Sequence, residues 1–438
     1  MNVAHGLGGG SDLPIPASFA VLGGTAALAL SFVILLFAWR EPRFTNPRVG
    51  RTVPVRVARF LDGVTLAAAL RSAGLVFFGF VAVAAVAGQD LVTNPTFGVV
   101  YVWLWVGIVP TSLLFGLFFK AVSPARTIHL LMMKALRGDP AVGLRVYPTW
   151  LGTWPAAAGL LAFVWLELVS PDSTYLGPVR LWFAIYFAIM LVGGAVFGST
   201  WFERADPFEV YSTLVGHLSI FGRRPDGALV IRAPMRNLAE ISARVGLVAV
   251  VAVLLGSTAF DSFRSSRSWV QFSQSTTADI TLINTTLLVG ACSIVGVTFV
   301  VATMATGVDT TMRRRDLPAT FAHSLVPIVV GYMIAHYLTF FVEVGQQTLA
   351  QISDPLGNGA NLFGTAGWQP NFWLSLHPSM LASIKVASIV TGHVLGVIAA
   401  HDRALSVLPR QHQVTGQLPL LAAMTLYTFA GLYLLFGL

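Results

Sequence analysis

The chain has 438 residues, 55% of them hydrophobic and 11% charged, with a mean hydropathy of +0.74 and a formal charge of +8. Soluble domains carry about a quarter charged residues, whereas the apolar residues here run in stretches long enough to cross a bilayer, which takes about 20 residues of helix. A soluble enzyme and a disordered chain are excluded, and so is a disulfide scaffold, because Cys292 is the only cysteine.

The opening stretch MNVAHGLGGGSDLPIPA has no basic residue before the first apolar run. It predicts a short external tail before an uncleaved span, not a signal peptide. Its GLGGG follows no strand and is no dinucleotide fingerprint. Ten spans are predicted, at about 17–40, 72–88, 97–120, 152–170, 179–198, 241–260, 280–305, 318–349, 378–400 and 418–437. Arg71 interrupts the apolar stretch that leads into the second, and 51–63 reads as a basic amphipathic segment on the inner surface. The whole, 1–438, reads as one all-α integral membrane domain. Its connection 199–240 contains FGRRPDGALVIRAP, a turn between strand-like runs and so a small cytoplasmic hairpin. Its loop 350–377 is rich in Gly, Asn, Pro and aromatics, as an external capping loop would be.

Charge orients these spans. Of 27 basic residues, 23 fall in the connections after spans 1, 3, 5, 7 and 9, which makes that side cytoplasmic and both termini extracytoplasmic. The positive charge is therefore a topology signal with some attraction for anionic lipid. Nucleic acid is not implied; the expected surroundings are the lipid bilayer of a bacterial plasma membrane, with membrane-protein partners or a homo-oligomer.

Intramembrane ionisable residues concentrate in spans 8 and 9. At about 100° per residue, Tyr332, His336, Glu343 and Gln347 share a face, and Lys385 in span 9 lies at nearly the level of His336. This outer cluster of His336, Glu343, Gln347 and Lys385 reads as an outward-facing site. Imidazole and carboxylate are ligands for a transition metal such as zinc or copper, and the candidate set is His336, Glu343, His5 and His377, with Asp12 and Asp354 nearby. The bland alternative has Glu343 at the headgroups, Lys385 snorkelling toward it and His336 bonded to a neighbouring helix. An inner cluster, His323, His393 and His401, lies toward the cytoplasm. His323 and His393 could clamp a haem, but Ser388, Gly392 and Gly396, four apart, favour direct helix contact instead. Asp261 and Glu167 read as acids at the external ends of their spans.

Several longer phrases occur together: HGLGGGSDLPIPASF and WREPRF, SPARTIHLL, DPFEVYS with FGRRPDG, SDPLGNGANLFGT and TGHVLGVIAAHDRAL. In combination, over most of the chain, they resemble a family of bacterial integral membrane proteins labelled fenitrothion hydrolase-like. The resemblance implies a metal-dependent hydrolytic site facing outward and assigns no residue a role. A metal-bound water would then be the nucleophile. The rival expectations are a transporter or metal-handling permease, with the two clusters as successive stations, and a non-catalytic subunit of a respiratory or envelope assembly.

Overall fold

The computed structural model describes residue 13, residues 16–306, residue 308 and residues 312–436. The protein is 70% helical. Eight helices among the described residues are long and apolar enough to cross a membrane. A ninth candidate is the pair Pro95–Leu104 and Ile108–Phe115, bent by 47°. Trp154–Leu168 is apolar but shorter, at 15 residues. Such a set is compatible with a multi-pass protein in a bilayer. The expected single domain resolves into two compact units, one of Arg48–Asn237 with Phe340–Asn371, the other of the segment up to Pro47, Leu238–Thr339 and the segment from Phe372 onward.

The elements used below are α1 (Ala17–Ala38), α2 (Val55–Leu61), α3 (Val64–Ala87), α4 (Ile108–Phe115), α5 (Pro124–Ala135), α6 (Trp154–Leu168), α7 (Leu176–Phe197), α8 (Ser199–Ala205) and α9 (Pro207–Gly216). They continue with α10 (Leu247–Arg264), α11 (Ile280–Met304), α12 (Val326–Thr339), α13 (Pro378–Val407) and α14 (Leu418–Phe436). The strands are β1 (Arg51–Thr52), β2 (Phe221–Arg223) and β3 (Leu229–Ile231).

In the first unit, the hairpin read from FGRRPDG forms. β2 and β3 pair antiparallel with Gly222 opposite Val230, and β1 adds on the other side of β3, Thr52 opposite Val230. Arg223 reaches Asp62, just after α2, and holds that carboxyl below its usual range. α2 buries no side chain, as suits a basic interfacial segment. The second span begins earlier than expected: α3 starts at Val64 and takes Arg71 within it, exposed. A long arginine stem tolerates that position by reaching along the helix toward water.

The first part of 199–240 is not a surface loop. α8 and α9 fold back beside α6 and α7, and nine of the ten residues of α9 are buried, Thr213 being the exception. Small residues make this possible: a Cβ on Gly193 would strike the Trp201 ring, one on Gly194 the Phe202 ring, and one on Gly159 the Pro207 ring. Asp206 turns the chain between the two short helices. Its carboxylate accepts the N–H of Phe208 (3.0 Å) and Glu209 (3.2 Å), capping α9, while Pro207 sits at the first helical position. The other carboxylate oxygen accepts the Tyr186 hydroxyl at 3.0 Å. Tyr186 lies 11 residues before the end of α7, so Asp206 reaches about 16 Å back along that helix. One turn on, Glu209 takes a two-pronged bond from Arg126 of α5, at 2.5 and 2.7 Å.

In the second unit, α12 and α13 pack antiparallel with backbones in contact. A Cβ on Gly331 would lie 2.4 Å from the Ser388 carbonyl, one on Gly392 2.5 Å from that of Pro327, and one on Gly396 2.8 Å from that of Ser324. The small-residue spacing in span 9 is thus the seam of this pair. α10 and α11 meet in the same way at Gly256 and Cys292, and α14 packs on α1, α11 and α13.

Breaking a buried, two-pronged ion pair by removing one partner costs about 3–5 kcal/mol. Arg126→Ala should therefore lower the detergent melting temperature sharply, and Arg126→Lys should restore only part of it, since an ammonium cannot match the fork. Arg126→Ala with Glu209→Gln should melt closer to the wild type than Arg126→Ala alone.

Candidate functional site

The most connected set of buried polar side chains among the described residues of the second unit joins α10 to α12. Two periodic faces meet there: Thr258, Asp261 and Ser262 on α10, and Tyr332, Met333, His336 and Tyr337 on α12. Thr258 touches the Met333 sulfur at 3.4 Å. Four bonds then form one chain. The Tyr332 hydroxyl donates to Ser262 Oγ at 3.0 Å, and Ser262 Oγ lies 3.0 Å from His336 Nδ1. His336 Nε2 lies 2.9 Å from Asp261 Oδ2, which also accepts the Tyr337 hydroxyl at 2.9 Å. All five residues are at most 5% exposed. Tyr337 stands edge-on to the imidazole, with ring centres 4.6 Å apart.

Every donor in this chain has an acceptor if the imidazole is neutral with its proton on Nε2. Ser262 then donates to Nδ1, and Nε2–H donates to an ionised Asp261. In a second arrangement Nδ1 is protonated, Ser262 accepts from it, the Ser262 hydroxyl turns its own hydrogen away, and the imidazolium pairs with the carboxylate. The two states differ by one proton and by the rotation of one hydroxyl.

Lys385, on α13, is fully buried. The contact of Gly331 with Ser388 sets the register, and three residues beyond it Lys385 comes level with the turn that holds His336. Glu343 and Gln347 belong to the first unit. Glu343 is buried in a π-helical turn, Phe340–Val344, and Gln347 is half-buried in the helix that follows. His336 thus finds its carboxylate on a neighbouring helix, not on its own. Asp261, read from the sequence as an acid at an external helix end, is that partner.

The metal candidates form no ligand group among the described residues. His5 and Asp12 lie outside the described residues. His377 is exposed, with Nδ1 on the Trp373 carbonyl at 2.7 Å and its ring against the indole. Asp354 accepts the N–H of Asn358 and Gly359. Both nitrogens of His336 are engaged, and among the described residues no group of three His, Cys, Asp or Glu side chains could hold a metal ion.

The three inner histidines keep separate partners. His323 bonds the carbonyl of Thr320 and the backbone of Ala399. His393 bonds the Ile389 carbonyl on its own helix. His401 joins Gln417, just before α14, to the Trp39 carbonyl, just after α1, at 2.9 Å each. Next to it, Asp402 accepts the N–H of Arg43 and Phe44. The direct contact of α12 with α13 at Gly392 and Gly396 leaves no room for a macrocycle between His323 and His393.

No protein-family model, curated protein or solved structure matches the chain. Its chemistry has to be read from the chain's own geometry. The sequence offers a faint pointer to the site: the Asp-Ser pair at 261–262 closes the apolar run that begins at Leu247. Nothing in the spacing links it to a residue more than seventy positions later.

Removing either end of the Asp261–His336 bond takes one buried partner from the other group, at a cost of about 1–3 kcal/mol. Asp261→Asn and His336→Leu should each lower the melting temperature in detergent. Their combination should lose less than the sum of the two, because the groups act as a unit.

Proposed function

We propose that the second unit carries the proton-binding site of a proton-coupled membrane transporter. The protein then crosses a bacterial plasma membrane ten times, with both termini outside, the shorter Trp154–Leu168 and the bent pair each counting as one crossing. Asp261, Ser262 and His336 lie in the external half of the unit in that orientation. The observation that carries the reading is the closed chain from Tyr332 through Ser262 and His336 to Asp261, buried among apolar helices.

Ionisable groups inside a bilayer are costly and mark ion or proton pathways. This set has a specific virtue for such a task. Taking up a proton converts a neutral imidazole beside a carboxylate into an ion pair, so the site's charge changes by one while both imidazole nitrogens keep their partners. A buried charge of one sign needs a counter-charge, and the fully buried Lys385 stands at the same level. Proton occupancy thus switches the electrostatics of the α10–α12–α13 contact, which is what coupling a proton to a conformational change requires.

Asp261, His336 and Ser262 are also linked in the order that hydrolases use, which supports a second reading, a serine hydrolase acting on phosphoester-like substrates. Against it stands the position of Ser262 inside α10. Its neighbouring N–H groups are held in helical bonds, leaving none to stabilise a developing oxyanion.

A pH jump on proteoliposomes adsorbed to a solid support separates the two readings. The wild type should give a transient charge displacement, lost in Asp261→Asn and His336→Gln but retained in His377→Gln. A displacement absent from the wild type, or unchanged in both site variants, would refute the transporter reading. Labelling of Ser262 by a fluorophosphonate probe, abolished in His336→Gln, would establish the hydrolase instead.

A further inference from the structure

Taking the proton-relay reading as given, we infer that His393 is a second proton station, midway along α13 between the Asp261–His336 site and His401. His393 is 2% exposed, and its Nδ1 lies 2.8 Å from the Ile389 carbonyl one turn back. A carbonyl can only accept, so Nδ1 carries the hydrogen and Nε2 is a bare lone pair. Among the described residues no donor reaches that nitrogen. His323, His336 and His401, by contrast, have both ring nitrogens engaged.

An acceptor left unmatched in an apolar interior costs about 1–3 kcal/mol. A purely structural histidine would be expected to have that need met by the protein. A water molecule or a proton supplies the match without a protein partner. The spacing fits a relay. Lys385, His393 and His401 are each eight residues apart, so each step along α13 is about 12 Å.

Within the second unit, the other described buried polar atoms without a protein hydrogen-bond partner lie at the two ends of this line. At the Asp261 end is Thr339 Oγ1, one turn beyond His336. Asn284 Oδ1 is there too, since the antiparallel contact of Gly256 with Cys292 places it opposite the last turn of α10. At the other end is Trp39 Nε1, on the residue whose carbonyl meets His401. These are the positions an internal water path would use. The transfer itself is simple: a hydronium or protonated water gives one proton to Nε2, forming an imidazolium whose Nδ1–H stays on Ile389. The same nitrogen later returns one proton to water on the side of His401.

The test combines two readouts. In bilayers, 15N-histidine solid-state NMR, with the His393 signal assigned by its loss in His393→Gln, should show contact between Nε2 and water. A dry Nε2 signal would overturn the inference. In the pH-jump experiment, His393→Gln should keep the wild-type melting temperature. It should displace markedly less charge than the wild type, because the steps to and from position 393 are both interrupted. An unchanged displacement would also overturn it. If the wild type displaces no charge but His393 contacts water, the transporter reading fails while the hydrated His393 stands.

Discussion

Hydrocarbon offers a polar atom no partner, so each one inside these helices depends on what the protein itself supplies. That constraint explains the style of both units. Three buried acids come in completed sets: Asp206 with two N–H groups and a tyrosine hydroxyl, Glu209 with the two prongs of Arg126, Asp261 with an imidazole and a tyrosine. Where helices meet without polar groups, glycines bring their backbones into contact. The few buried polar atoms that break the pattern stand out for that reason.

The spans were legible in the sequence because apolar length is a one-dimensional property. Eight of the stretches appear as long helices, and the other two as a bent pair and a short helix. What could not be read was any feature set by contact. α8 and α9 carry Glu203, Arg204, Asp206 and Glu209, so hydropathy assigns them to a surface connection. The Arg126 guanidinium that meets Glu209 and the Tyr186 hydroxyl that meets Asp206 come from earlier helices, and only the fold brings these together. The small hairpin 221–231 was readable because its turn is local.

The site divides along the same line. Periodicity on one helix identified His336 as the deep ionisable group and placed Lys385 at its level. It also assigned His336 the wrong carboxylate, because helical phase cannot say which neighbour a face meets. Glu343 is on the expected helix, but a π-helical turn intervenes and it belongs to the other unit. Asp261 was visible as an acid, yet its depth follows from α10 continuing to Arg264 and turning that face toward α12. The seam of Ser388, Gly392 and Gly396 was readable, since small residues four apart have few other uses in a membrane helix.

The fold-back of α8 and α9 also dictates an order of assembly. A segment with four charges in seven residues, Glu203 to Glu209, is a poor candidate for the insertion machinery to release into lipid by itself. It can be buried only against a surface that already offers Tyr186 and the Arg126 guanidinium. Both belong to earlier parts of the chain, α7 and α5, which leave the ribosome first. The unit is thus laid down in a sequence that keeps those charges in water until their counterparts are waiting.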